Sequence, residues 1–225
     1  MRAVVTGSSS GIGKAIAEQL LQEGWDVTGL DLAPAPISHA AFHAVRVDLT
    51  DAQAVDAAIR PLAGVRALVH CAGVLRVAPL GELRQEDADL MWRLHVASIM
   101  RIANSLVPTM PREGRVVLVG SRVSQGAAAR SQYAATKAAL VAMARSWAAE
   151  VVARGITVNV VSPAATETAM IDDPARKAEP PKLPPIGRLI KPTEIASLVA
   201  YLLSPPAAAI TGQEIVVCGG ASLPR

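Results

Sequence analysis

Tyr133 and Lys137 stand four residues apart in a largely apolar run, 131–153. Helical spacing puts both on one face. An ammonium beside a phenol stabilises the phenolate and draws its pKa toward working pH, which suits general acid/base work on an alcohol or carbonyl. Ser121 closes an earlier strand-like run, 115–120, where its hydroxyl could hold the oxygen of such a substrate. Tyr-x-x-x-Lys alone often arises by chance. It gains weight because the chain has only two tyrosines, Tyr133 and Tyr201.

A second constellation lies at residues 6–13, Thr-Gly-Ser-Ser-Ser-Gly-Ile-Gly, between a strand-like run at 3–6 and a helical pattern at 12–24. Gly7 permits a tight turn, Gly11 lets the backbone approach a pyrophosphate, and Gly13 lets helix and strand pack closely. The amides that open the helix would face the phosphates, with Ser9, Ser10 and Ile12 in the same cradle. Asp31 ends the second run, 26–31, where an adenosine ribose would lie. Its carboxylate would accept from the ribose hydroxyls and repel a 2′-phosphate. Leu32, Ala33 and Ser10 carry no charge, and no nearby Arg or Lys is placed to pair a phosphate. NAD is therefore expected over NADP, the competing reading of Asp31 being a strand-end turn former. Asp48, followed by Leu49, could bond the adenine amino group or cap the helix starting near Asp51.

These residues need a scaffold, and the chain alternates strand and helix throughout. Further strands are expected at 44–47, 67–70, 157–161 and 214–217. Further helices are expected at 51–60, 85–107 and 193–203, the last with Thr193 as N-cap. Such alternation implies an α/β, doubly wound parallel sheet with ligands at the carboxyl ends of the strands. Residues 172–185 hold five prolines and break the pattern, as a surface loop or as a lid over the site, placed at about 169–190. At 225 residues, 51% hydrophobic and 18% charged, the chain has ample material for one buried core and is not disordered. Its net charge of +3 forms no basic stripe, so nucleic acid and anionic membranes are poor partners. No apolar run approaches the roughly 18–20 residues of a membrane span, and Met1-Arg2 leads into no signal-peptide core. Cys71 and Cys218 fit neither a metal quartet nor a disulfide framework, and reduced thiols point to the cytoplasm. His39, His43 and His70 lack ligand-like spacing and read as ordinary loop or core residues, so no metal is expected.

Taken together, residues 6–13, Asp48, Cys71-Ala72-Gly73, Ser121, Tyr133-Ala134-Ala135-Thr136-Lys137, residues 159–163, Gly187-Arg188 and residues 211–220 resemble the short-chain dehydrogenases/reductases over nearly the whole chain. The resemblance implies one Rossmann-type domain with a seven-stranded parallel sheet, and a homo-oligomer (dimer or tetramer) in which the Tyr133 helix, around Trp147 and Val151, forms a subunit interface. It implies hydride transfer between a nicotinamide and an alcohol or ketone carbon. Tyr133 would be the acid/base, Lys137 would hold the nicotinamide ribose, and Ser121 would polarise the substrate oxygen. Thr168, with Pro163 and the backbone near Thr166, would hold the carboxamide. The sequence also departs from the family. His95 stands where a fourth catalytic residue, Asn, is usual; it is expected to relay protons, its imidazole then titrating near pH 6.5, with a purely structural histidine and one that impairs the site as the alternatives. His70-Cys71 replaces Asn-Asn, Pro163-Ala164 replaces Pro-Gly, Cys218 replaces Asp, and the lid is short. Within the family, residues 150–163 resemble 3-oxoacyl-carrier-protein reductases, which generally use NADPH. Residues 71–76 and 159–170 resemble the NAD-dependent 2,3-dihydro-2,3-dihydroxybenzoate dehydrogenases. A dinucleotide-binding sensor or scaffold with weak catalysis is the reading from another class.

Overall fold

Short runs rich in Val, Leu and Ala pair into one seven-stranded sheet in the computed structural model, which describes residues 1–171 and 182–223. The strands are β1 (Arg2–Thr6), β2 (Asp26–Asp31), β3 (Phe42–Arg46), β4 (Val65–His70), β5 (Arg115–Val119), β6 (Thr157–Pro163) and β7 (Glu214–Val217). Their order is β3-β2-β1-β4-β5-β6-β7, every pair is parallel, and the doubly wound α/β expectation holds.

The two-residue strand period divides the core. Ala3 and Val5 face one layer, with Ile16 and Leu20 of α1 (Gly11–Gln22) and Ile195 and Val199 of α6 (Pro192–Leu203). Val4 faces the other, with Val55 of α2 (Ala52–Ile59), Ile102 of α4 (Ser98–Leu106) and Leu140 of α5 (Ser131–Val151). Each such Val, Leu or Ile side chain contributes roughly 1.5–3 kcal/mol on burial. The strand order reverses between β1 and β4, which opens a crevice at their carboxyl ends.

Two expectations need amendment. The single helix expected over 85–107 is α3 (Gln85–Trp92), a π-turn (Arg93–Ala97) and α4. The pattern of apolar residues does not reveal one extra residue in one turn. Thr193 is not the N-cap of α6. Pro192 takes the first helical position, which suits its fixed φ, and Lys191 is the cap; its N–H donates to the Glu194 carboxylate at 2.8 Å. Of the lid expected at about 169–190, residues 172–181 lie outside the described residues. Among the described residues, no helix is long and apolar enough to cross a membrane.

Candidate active site

The crevice is a cavity of about 1050 Å3. Its floor is the turn from β1 into α1. Gly7 holds φ at 71°, and a Cβ there would lie 2.8 Å from the Ala72 backbone. A Cβ on Gly13 would strike the Gly7 carbonyl oxygen, so α1 rests directly on the turn. Gly7, Ser10, Gly11, Ile12 and Gly13 line this floor, and Cys71, Ala72 and Gly73 form the adjoining wall. Ser9 instead braces the loop, its hydroxyl donating to the Ala33 carbonyl at 2.7 Å and its N–H donating to Asp31 Oδ2 at 2.9 Å. The Cys71 and Ala72 amides both donate to Thr6 Oγ1 at 3.1 Å, which ties the wall to β1.

Asp31, Asp48 and Leu49 line one end. The Ala33 N–H donates to Asp31 Oδ1 at 3.0 Å, so the carboxylate is held at the crevice by two amides. Asp48 does not cap α2. Its Oδ1 accepts from the Thr50 amide and hydroxyl, both at 2.8 Å, while Asp51 caps the helix through the Gln53 and Ala54 amides. A cation does stand near this corner, contrary to expectation. Arg46 pairs with Asp31 in the β2–β3 register, and its Nε donates to the Leu32 carbonyl at 3.1 Å. It lies fourteen residues beyond Leu32, outside the local window in which a phosphate partner is sought.

Ser121, Tyr133 and Lys137 meet at the other end. Ser121 Oγ accepts the Val123 amide at 3.2 Å. Lys137 is buried, donates to the Val119 carbonyl at 2.9 Å, and sits 5.8 Å from the centroid of the Tyr133 ring. Burial draws its ammonium down to about 8, against a smaller opposing pull from Cys71. Pro163, Thr166 and Thr168 line the same cavity from the loop after β6, with the Thr166 hydroxyl donating to the Ala164 carbonyl at 3.0 Å.

His95 does not line the cavity. It is fully buried in the π-turn, edge-on to the Tyr133 ring with centroids 5.6 Å apart. Its Nε2 accepts the Val74 amide at 2.9 Å, and Nδ1 lies 2.8 Å from Thr136 Oγ1. Desolvation, then the nearby Lys137 charge, hold its pKa well below the ordinary value. The ionisation near pH 6.5 expected for a relay does not suit this site, because a buried ring with both nitrogens engaged has no room for a second proton.

Sequence reasoning assigned no part to Thr136 or His70, nor to Glu214. Glu214 Oε1 accepts from the Ser162 hydroxyl at 2.6 Å and the Ser124 hydroxyl at 3.1 Å, bracing the short turn after Ser121. No local pattern marks Glu214. Thr136 stood inside a recognisable motif, as the residue before Lys137, and His70 where the family usually has Asn.

The sequence profile of the family described as enoyl-(acyl carrier protein) reductase matches residues 7–222. A 3-oxoacyl-acyl-carrier-protein reductase, FabG, of Vibrio cholerae is 36% identical over 97% of this chain and 96% of its own. A short-chain dehydrogenase family protein of Francisella tularensis superposes with a TM-score of 0.91 at 26% identity, over 99% of each chain. A blue fluorescent protein from a metagenomic library, solved in complex with NADPH, gives a TM-score of 0.84 at 30% identity, over 98% of this chain and 97% of that one. With the glycine cradle at one end of the crevice and Ser121, Tyr133 and Lys137 at the other, this chain belongs to the short-chain dehydrogenase/reductase family of oxidoreductases that act on hydroxyl and keto groups.

Proposed function

We propose that the protein transfers a hydride between NAD and a secondary alcohol or ketone. The observation that carries this reading is the convergence of Ser121, Tyr133 and Lys137 on the cavity that the glycine cradle floors. The residues present fit a dinucleotide. Side chains are excluded where the turn and α1 would meet a pyrophosphate, and a carboxylate waits where a ribose would lie. Gly7 and residues 10–13 would hold the pyrophosphate, Asp31 the adenosine ribose, Asp48, Leu49 and residues 71–73 the adenine side, Lys137 the nicotinamide ribose, and Pro163, Thr166 and Thr168 the carboxamide. When bound, the nicotinamide supplies or accepts the hydride. The protein's own share is the proton. In reduction the Tyr133 hydroxyl gives its proton to the substrate oxygen, and in oxidation the phenolate takes it back. The Lys137 ammonium lowers the cost of that phenolate. Ser121 donates to the same oxygen and orients it.

A second reading, an NADPH-dependent 3-oxoacyl-carrier-protein reductase, draws on the FabG relative and on Arg46 beside Leu32. The same reading of the family makes the protein a cytoplasmic homo-oligomer, with copies meeting across the outer face of α4 and α5.

The test is turnover of a panel of secondary alcohols with NAD, and of ketones and 3-oxoacyl thioesters with NADH and NADPH, followed at the nicotinamide absorbance band. Tyr133→Phe should lose turnover by on the order of a thousandfold or more while keeping NAD affinity, because the phenol acts on the substrate proton. Lys137→Ala should weaken both. Substantial turnover by Tyr133→Phe would assign the proton to another group. Dinucleotide binding with no turnover of any class would favour the sensor or scaffold.

A further inference from the structure

Beside the crevice lies a pair of buried histidines that the proton chemistry leaves unused. His70 ends β4 and His95 sits in the π-turn between α3 and α4; both rings are wholly buried. Their hydrogen bonds form one chain whose direction can be worked out. Thr6 Oγ1 accepts two amides, from Cys71 and Ala72, which uses both its lone pairs. Its own proton must then point to His70 Nδ1, 2.9 Å away. His70 therefore carries its proton on Nε2, and that N–H donates to the His95 carbonyl at 3.2 Å. His95 runs the other way. Its Nε2 accepts the Val74 amide, so Nδ1 carries the proton and donates to Thr136 Oγ1. Thr136 in turn donates to the Tyr133 carbonyl at 2.8 Å. The chain begins on the strand that carries the glycine turn and ends on the turn of α5 that carries the phenol.

We propose that His70 and His95 are positioning residues, locked in opposite tautomers, which hold the Tyr133 turn of α5 in fixed relation to the glycine cradle. The proposal rests on Tyr133 being the acid/base and adds the device that places it. The pieces agree. Thr6 anchors the 71–72 wall and His70 together, and His95 grips the wall again at Val74. The π-turn carries the His95 ring to Thr136 and its carbonyl to His70. A third proton on the pair would break a link, since each ring nitrogen already has one role. The titratable groups that face the pair are Tyr133 and Lys137 of α5; of these Lys137 is a cation, which opposes a charged imidazole.

Imidazole nitrogen-15 NMR on the full chain tests this without any assay. Replacing the exposed His39 and His43 by Gln identifies the two remaining rings. One should show its proton on Nε2 and the other on Nδ1, and neither should titrate between about pH 7.5 and 5.5. Two Nε2–H rings, or a ring that titrates in that range, would overturn the proposal. The kinetic arm is Thr136→Val, which keeps the shape and removes the last link. Its kcat should fall on the order of 10- to 100-fold, with the KM for the dinucleotide changed by less than about threefold. His70→Gln, which can still donate to the His95 carbonyl, should retain more activity than His70→Leu. Wild-type kcat in Thr136→Val would overturn the proposal as well. If the wild type turned over no alcohol or ketone, the catalytic reading would fail, and the tautomers would still decide this one.

Discussion

In the proposed function Asp31 carries the cofactor preference, because its two oxygens are already aimed by amides. The Ser9 and Ala33 N–H groups hold the carboxylate at the crevice, so it cannot swing away from a 2′-phosphate without losing both bonds. Like charges brought together at an interface cost several kcal/mol, and each 1.4 kcal/mol is about tenfold. Arg46 opposes this from the neighbouring strand, although its Nε is engaged by the Leu32 carbonyl. Asp31→Ala should therefore raise the NADP-to-NAD ratio of kcat/KM by at least about tenfold, and Arg46→Ala in that background should take part of the gain back. Steady-state kinetics with both dinucleotides checks it. A wild-type enzyme that already prefers NADP would reverse the assignment of Asp31 and move Arg46 to the centre of recognition.

At the scale of elements, α4 and α5 present two different faces. Inward, Ile102, Leu106, Leu140 and Ala144 fill one layer of the core. Outward, a groove runs along Trp92 at the end of α3, Met100 of α4 and Trp147 of α5, and both Trp92 and Met100 are 49% exposed. Large apolar side chains gathered on one face mark contact surfaces, and an isologous dimer would bury the same groove on both copies. Trp92→Glu with Met100→Glu should shift the protein toward monomer, read by light scattering across a dilution series. An unchanged mass would place the contact elsewhere. The π-turn belongs to this scale too, since it is a change inside an otherwise continuous helix that turns one face toward β4 and α5.

For the molecule as a whole, the buried histidines tie stability to pH. Desolvation, aided by the Lys137 charge, lowers His70 to about 3, and desolvation likewise lowers His95. An unfolded chain would protonate both near 6.5. Below that value the unfolded state binds more protons than the folded one, so stability is complete above about pH 6.5 and declines as pH falls toward 3. Each histidine should cost up to about tenfold in the folding equilibrium per pH unit in that window. Urea unfolding at pH 7.5, 6 and 5 should show the midpoint dropping, and His70→Gln should flatten the slope. A midpoint independent of pH over that range would mean that these rings can charge in place.

The amino-acid sequence determined what depends on neighbours along the chain. Hydrophobic period distinguishes strand from helix within a few residues, which gave seven strand-like runs and, through their alternation with helices, a parallel, doubly wound sheet. The glycine turn, and the i,i+4 placement of Tyr133 and Lys137, are equally local and stood in plain view. What the tertiary structure decided was pairing at a distance. His70 meets Thr6 across 64 residues, His95 meets Thr136 across 41, and Ser124 meets Glu214 across 90. Arg46 reaches the Asp31 corner only because β3 lies beside β2. Local periodicity reports which face of an element is apolar and carries nothing about which polar atoms will meet once the layers close. A histidine whose two nitrogens are satisfied by an amide and a threonine looks, along the chain, like any other histidine. Its tautomer and its lack of charge are set by the groups that folding brings around it.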